Sequence, residues 1–151
     1  MSEGKKKYLT ARQYLEQLQE LDTNINQDLE RLDEMKINAT CTGGIDYSKE
    51  RVQTSTSGDK LCNDVTRYIS LDEEINAEID RFTDAKNQII SEIRGLHVNN
   101  YIKLLYKVYV QYKSIHQASK EMRLSYSYVI ELHKKALAAF EETYKNLSYL
   151  T

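Results

Sequence analysis

The chain has 151 residues and a formal net charge of −2, enough for one ordinary domain or two small ones. Charged residues make up 29% of it and hydrophobic residues 40%, and it has five glycines and no proline. This composition predicts long helices, because proline is the strongest helix breaker. No apolar run of about 18 residues occurs, and none follows the N-terminal lysines, so we expect neither a membrane span nor a secretory signal.

The composition also argues against an enzyme. Cys41 and Cys62 are too few for a disulfide framework, although a bridge between them is geometrically possible, and an intracellular setting is expected. His97, His116 and His133 are scattered, no Cys/His spacing fits a zinc site, and no glycine-rich phosphate loop is present. We therefore predict no catalytic residue, no metal and no cofactor, with His133 solvated or facing a phosphate.

Charge is distributed unevenly along the chain. Residues 1–93 hold 12 Lys and Arg against 19 Asp and Glu, whereas residues 94–151 hold 9 against 4. A basic C-terminal third suits a polyanion, because lysine and arginine neutralise phosphates and release counterions. The acidic remainder suits solvent and protein partners. The alternative is uneven surface charge that serves no partner.

The first predicted helix begins at Ala11 and continues to about Asn38. Thr10 can cap it, and Gln13 completes a capping box with Thr10. Its apolar residues recur every three or four positions, which predicts one buried face: Tyr14, Leu18, Leu21, Ile25, Leu29, Leu32 and Met35. The residues that follow, 39–60, are rich in Gly, Ser and Thr and predict an irregular loop, in which Arg51 is a candidate for binding and Val52 for pinning the loop to the helices.

A second long helix is predicted over 61–96. Its apolar positions repeat at seven in two registers: Tyr68, Ile75, Phe82, Ile89 and Leu96, and Val65, Asp72, Ile79, Lys86 and Ile93. In the second register Asp72 and Lys86 interrupt the seam. We expect the two long helices to fold back antiparallel on each other, so that 8–96 forms a coiled-coil-like hairpin. Two helices leave an apolar edge uncovered, which favours a dimer through this hairpin.

The remaining chain, 97–151, predicts a trihelical helix-turn-helix unit. Gly95 ends or kinks the long helix, and a helix over 101–113 is apolar on more than one face, as expected of the central helix of a small bundle. A short helix over 114–122, a turn at Arg123 and Leu124, and an N-cap at Ser125 lead into a final helix that ends near Asn146. The fold prediction is thus all-α: a long antiparallel hairpin followed by this unit.

The final helix and the turn before it supply the candidate DNA contacts. The first residues of a recognition helix enter the major groove, while later lysines meet the backbone. The candidates are Lys120, Arg123, Ser125, Tyr126, Ser127, Tyr128, Glu131, Lys134 and Lys135. The alternative for Tyr126 and Tyr128 is that they only cover the bundle.

The order of these segments resembles a family of phage-encoded regulators, the RinA-type and ArpU-type late-operon activators of Gram-positive phages. The resemblance lies in the helix start at 10–15, the loop segment 51–53, the acidic run 71–76 and the C-terminal helix-turn-helix, which is similar to region 4 of sigma factors. It implies a cytoplasmic regulator of late phage genes in a bacterial host. It also implies that Ser125 caps the recognition helix. We expect the hairpin to serve self-association or contact with host RNA polymerase.

Two positions depart from that pattern. The turn usually offers glycine where this chain has Arg123, which predicts ordinary dihedrals there, and the helix crossing usually holds alanine where this chain has Ser119. Two other functions stay open. One is the small subunit of a phage terminase, which binds packaging DNA but usually places its DNA-binding unit first. The other is a helical adaptor that binds only protein.

Overall fold

A computed structural model describes the backbone of residues 7–41 and 56–150 and the side chains of residues 7–38 and 65–150. Every regular element in these ranges is helical: α1 (Ala11–Cys41), α2 (Thr56–Arg94), α3 (Asn99–Leu105), α4 (Ile115–Met122) and α5 (Tyr126–Thr143), with a π-helical segment, Tyr106–Val110, continuing α3. The predicted all-α class is confirmed. Within the described ranges, no helix is long and apolar enough to cross a membrane.

The ends of α1 and α2 lie closer together in sequence than predicted. Residues 39–41 belong to α1 and residues 56–60 to α2, so both ends of the predicted loop are helical. Adding a residue to an existing helix gains a hydrogen bond, and a glycine such as Gly58 costs only about 1 kcal/mol. The centre of the predicted loop, with Arg51, Val52 and Gln53, lies outside the described residues.

The chain divides into two compact units. The terminal unit comprises residues 1–22 and 81–151, and the central unit comprises residues 23–80. In the terminal unit Leu15 and Leu18 of α1 share a core with Ile89 and Ile93 of α2. In the central unit Leu32 of α1 packs with Leu71 and Ile75 of α2. The helices therefore pack against each other antiparallel, as predicted.

The second register of the α2 seam agrees with the prediction at Ile93, which is buried, but differs from it over the middle of the helix. Asp72 and Ile79 are exposed, whereas Leu71 and Ala85 are buried. The reason is the spacing of a helix seam, in which the positions three after and four before Ile75 share its face. That spacing selects Leu71, Glu78 and Ala85 rather than the residues one position later. Asp72 and Lys86 are therefore not interruptions in the seam, and half-buried Glu78 takes its polar position.

The thirteen-residue helix predicted over 101–113 is replaced by α3 and the π-helical segment. The Gln111 amide donates to the Tyr106 carbonyl, which is the longer hydrogen bond of a π turn. Leu104 faces a cluster made with α4 and α5, while Leu105 and Val110 face the core shared with α1 and α2. The segment thus serves two cores at once.

Helix α5 ends at Thr143, three residues before the predicted end. Tyr144 is extended, with φ −114° and ψ 107°, and its hydroxyl donates to the Glu92 carbonyl at 2.7 Å. The tail then returns to the start of the chain, where the Leu9 amide donates to the Leu147 carbonyl at 2.9 Å. Leu147 is buried, and it reaches the core from this tail and not from a helix.

Candidate nucleic-acid interface

Helix α4 begins with a capped turn. The Ser114 hydroxyl accepts a hydrogen bond from the Gln117 amide at 3.1 Å, and this satisfies one of the free amides at the helix start. Ala118 and Ser119 form the buried side of α4. The Ser119 hydroxyl donates to the His116 carbonyl at 2.6 Å. Serine can take the place of the expected alanine at the helix crossing, because its hydroxyl has a hydrogen-bond partner within its own helix.

The turn between α4 and α5 is left-handed at Arg123, with φ 57° and ψ 40°. The expectation of ordinary dihedrals at this position was wrong. The Leu124 amide donates to the Ser119 carbonyl at 3.0 Å, and the Arg123 amide to the Lys120 carbonyl at 3.2 Å. This pair of bonds is a Schellman motif, which requires a left-handed residue in the position that glycine usually occupies. Arg123 adopts the glycine conformation without being glycine.

Helix α5 begins where predicted. The Ser125 hydroxyl accepts from the Tyr128 amide at 3.3 Å. Val129 and Leu132 are buried with Leu104 and Ala118, and these four residues form the small core of the helix-turn-helix. Further along α5, Ala136 and Phe140 join the core that α1 and α2 line. One helix therefore carries the candidate recognition face and anchors it to the rest of the terminal unit.

The outer face of α5 carries the predicted contacts. Ser127 and Lys134 lie seven residues apart, and a helix returns to nearly the same side after seven residues. This side lies opposite buried Val129 and Ala136. Glu131 is on the same side and receives a hydrogen bond from Lys134 at 3.5 Å, with both side chains more than 60% exposed.

The two tyrosines at the start of α5 flank that face. Tyr126 is 51% exposed and Tyr128 is 50% exposed, so neither is sealed into the bundle. The rings of Tyr126 and His116 meet edge to face, with their centroids 5.7 Å apart. Each tyrosine keeps a hydroxyl and part of a ring open to an external group.

Positively charged side chains differ in whether they have internal partners. Lys107 and Lys113 both bind Glu121, at 3.2 Å and 2.7 Å, and the Lys113 hydrogen bond is the main cause that lowers the pKa of that carboxyl. In contrast, Lys120, Arg123 and Lys135 are exposed, and none has an ion pair within the described chain. All three keep their charge available to a partner.

His133 is not the solvated or phosphate-facing residue that was expected. It is half-buried, and its Nε2 atom lies 2.7 Å from the Tyr109 hydroxyl. Burial lowers the pKa of His133 and raises the pKa of Tyr109 to about 12. A neutral imidazole therefore shares a hydrogen bond with a neutral phenol, and the tautomer of the imidazole decides which of the two donates. This hydrogen-bonded pair joins α5 to the π-helical segment. It borders a cleft of about 310 Å³ that Arg12 and Glu16 also line.

No protein-family model, curated protein or solved structure matches this chain. The resemblance to phage late-operon activators therefore stays a prediction. Among the described residues, no three His, Cys, Asp or Glu side chains are grouped closely enough to hold a metal ion.

The predicted contacts lie at the end of α4, in the turn and along the first ten residues of α5. The structure also adds residues that the sequence patterns did not indicate. His116 contacts Tyr126, and Ser114 caps α4. The cap had a visible signal, because Ser114 and Gln117 have the spacing of a capping box. The His116 contact had none, since it depends on the angle between α4 and α5.

Proposed function

We propose that the chain binds double-stranded DNA through α4 and α5, with the first half of α5 in the major groove, and that it regulates transcription in a phage or prophage. The observation that carries the proposal is the combination of two capped helices, a Schellman turn and an exposed outer face on the second helix. A helix-turn-helix presents its recognition helix in this way.

Charge supports the same proposal. The terminal unit holds 15 Lys and Arg against 10 Asp and Glu, and the central unit holds 6 against 13. The unit with the candidate interface is therefore the basic one. Lys120 and Arg123 precede and form the turn, where a helix-turn-helix meets phosphates. Ser127, Tyr128 and Glu131 lie where side chains meet base edges.

The regulator would act as a dimer in the cytoplasm of a bacterial host, with its two interfaces on related half-sites. Contact of the hairpin with host RNA polymerase belongs to the proposal as well. Activation of late genes is the regulatory role that the resemblance favours.

The test begins with selection of duplexes from a random-sequence library, which identifies the sequence that the protein prefers. The enriched duplex is then compared with random DNA by fluorescence anisotropy at several salt concentrations. We expect the enriched duplex to bind at least about a thousandfold more tightly. Equal affinity for both, or no affinity for either, would refute sequence-specific regulation.

Two sets of variants separate backbone contacts from base contacts. Lys120→Ala, Arg123→Ala and Lys135→Ala should weaken binding to all duplexes alike, each reducing the salt slope by about one unit. Lys145→Ala is the matched control, because Lys145 is exposed beyond the end of α5 and the variant loses the same charge. Ser127→Ala and Glu131→Ala should change which sequences are enriched.

The same samples separate the other two functions. Light scattering that finds a large ring of protomers would support the packaging subunit over the regulator. If neither the parent protein nor Lys134→Glu/Lys135→Glu binds DNA, the result would support the protein adaptor.

A further inference from the structure

A cleft in the central unit holds two arginines that form no ion pair with the described residues. It measures about 230 Å³ and is lined by Arg31 and Met35 of α1 and by Arg67, Ser70, Leu71 and Glu74 of α2. Arg31, Arg67 and Glu74 are exposed, and within the described chain none of them forms an ion pair. Two cations and one carboxylate therefore line one cleft without neutralising each other.

The surroundings make this cleft unusual. The central unit has 6 Lys and Arg against 13 Asp and Glu, so most of its surface repels another acidic surface. A cleft with two arginines is the place where an acidic helix can approach at lowest electrostatic cost. The floor of the cleft is apolar, because Leu71 is buried in the central core and Met35 packs against that core. Arginine stems readily cover such a surface.

The spacing of the charges is self-complementary. Arg67 and Glu74 are seven residues apart on α2, which is about 10.5 Å along a helix, and Ser70 lies near the midpoint. If a second α2 crosses antiparallel about a two-fold axis near Ser70, each Arg67 lies level with Glu74 of the second copy. A two-fold contact repeats every pair, since residue i meets j and j meets i.

We propose that two copies of this chain associate through this cleft, α2 against α2, with reciprocal Arg67–Glu74 ion pairs on either side of Ser70. The small Ser70 side chain allows close approach of the helices at the axis. Arg31 adds a further cation to each side of the contact. The contact specifies how the dimer of the proposed function forms, but it stands independently of DNA binding.

A second copy fits the cleft better than an unrelated acidic partner does. An acidic peptide would pair with Arg31 and Arg67, but it would also face the carboxylate of Glu74. The second copy supplies an arginine for that carboxylate. It therefore gives Arg67 and Glu74 reciprocal partners, and Arg31 remains as an additional cation on each side.

The test is sedimentation velocity on the full chain without DNA, at about 0.15 M salt, where long-range repulsion is screened. We expect a concentration-dependent monomer–dimer equilibrium. Arg67→Glu and Glu74→Arg each replace two attractive pairs by two repulsive ones, so each should weaken dimerisation about tenfold or more. The double variant Arg67→Glu/Glu74→Arg restores opposite charges and should return to within about threefold of the parent.

Glu73→Arg is the matched control, since it changes the same charge on an adjacent exposed residue that does not line the cleft. It should leave dimerisation unchanged. Circular dichroism checks the helix content of every variant, and Arg67→Gln with Glu74→Gln repeats the test if a charge reversal perturbs folding.

Three results would overturn the contact. They are a monomeric parent at about 100 µM, single variants that dimerise like the parent, or a double variant as weak as the singles. DNA affinity is measured separately on the same proteins, so loss of DNA binding in the parent would refute the proposed function and leave the sedimentation result as the test of the contact.

Discussion

Gly95, the first residue after α2, is where a single methyl group should be least tolerated. A Cβ placed there would overlap the Tyr144 hydroxyl and would lie 3.2 Å from the Glu92 carbonyl oxygen. Tyr144 cannot move freely, because its hydroxyl donates to that same carbonyl at 2.7 Å and its ring packs on Phe140 with centroids 4.9 Å apart. Gly95→Ala therefore forces Tyr144 out of its place.

The magnitude follows from three contributions. Overpacking a site of this kind costs about 1–3 kcal/mol, and losing the Tyr144 hydrogen bond costs about 0.5–1.5 kcal/mol. Alanine also reduces the entropy of the unfolded chain, which returns about 0.4–1 kcal/mol where the backbone permits it. The backbone does permit it, since the φ of Gly95 is not positive. The expected net loss is about 1–3 kcal/mol.

The steric reasoning is tested by making Gly95→Ala in a protein that also carries Tyr144→Phe. In Tyr144→Phe the overlapping oxygen is gone, the nearest ring carbon is at 3.5 Å, and the 3.2 Å contact with the Glu92 carbonyl oxygen remains. Gly95→Ala should therefore cost much less than in the parent protein. The coupling between the two changes should therefore exceed about 1 kcal/mol. Urea unfolding followed by circular dichroism and by tyrosine fluorescence measures it, with coincident curves as the check on two-state behaviour. An equal cost in both backgrounds would refute the steric reasoning.

Three further predictions concern the terminal unit. Glu141→Ala should destabilise it by about 1–2 kcal/mol, since Glu141 accepts a hydrogen bond from the Ala11 amide at 2.8 Å at the start of α1; urea midpoints measure this, and exposed Glu142→Ala should change little. Arg123→Gly should raise the free energy of unfolding by about 0.5–1 kcal/mol and weaken DNA binding. Arg123→Ala should give no gain in stability. The free energy of unfolding should fall as the pH drops below about 6.5, because burial lowers the pKa of His133 in the folded state and the unfolded state then binds more protons. A His133→Gln variant whose stability falls equally over the same pH range would contradict this.

Much of the fold could be predicted because local signals and burial agreed. The capping box at Thr10 forms, with the Gln13 amide donating to the Thr10 hydroxyl and the Thr10 amide to the Gln13 side chain. Gly95 marks the end of α2, and Ser125 caps α5. Each of these depends on residues within a few positions of each other, which a sequence displays directly.

Most of the wrong predictions concern segments whose structure depends on contacts between residues far apart in the sequence. Tyr144 has the spacing of an α5 core residue, but its bond to Glu92 draws the chain out of the helix. The π-helical segment depends on two cores on different sides of it. The second seam register was misread because Ile79 is apolar, although its position on α2 leaves it 37% exposed. No local pattern reveals the Tyr144–Glu92 bond or the two cores, whereas the seam register follows from the helix spacing around Ile75.

Arg123 shows how such an error can point to function. Four non-glycine residues have positive φ in the described chain: His97, Tyr112, Arg123 and Asn146. Asparagine tolerates this conformation well, and the Tyr112 hydroxyl donates to the Leu18 carbonyl, which gives that side chain a structural role. The Arg123 side chain is exposed and has no ion pair among the described residues. The Schellman turn needs the left-handed backbone but not the arginine side chain. The choice of arginine over glycine is therefore consistent with the proposed DNA contact, in which the guanidinium would bind a phosphate.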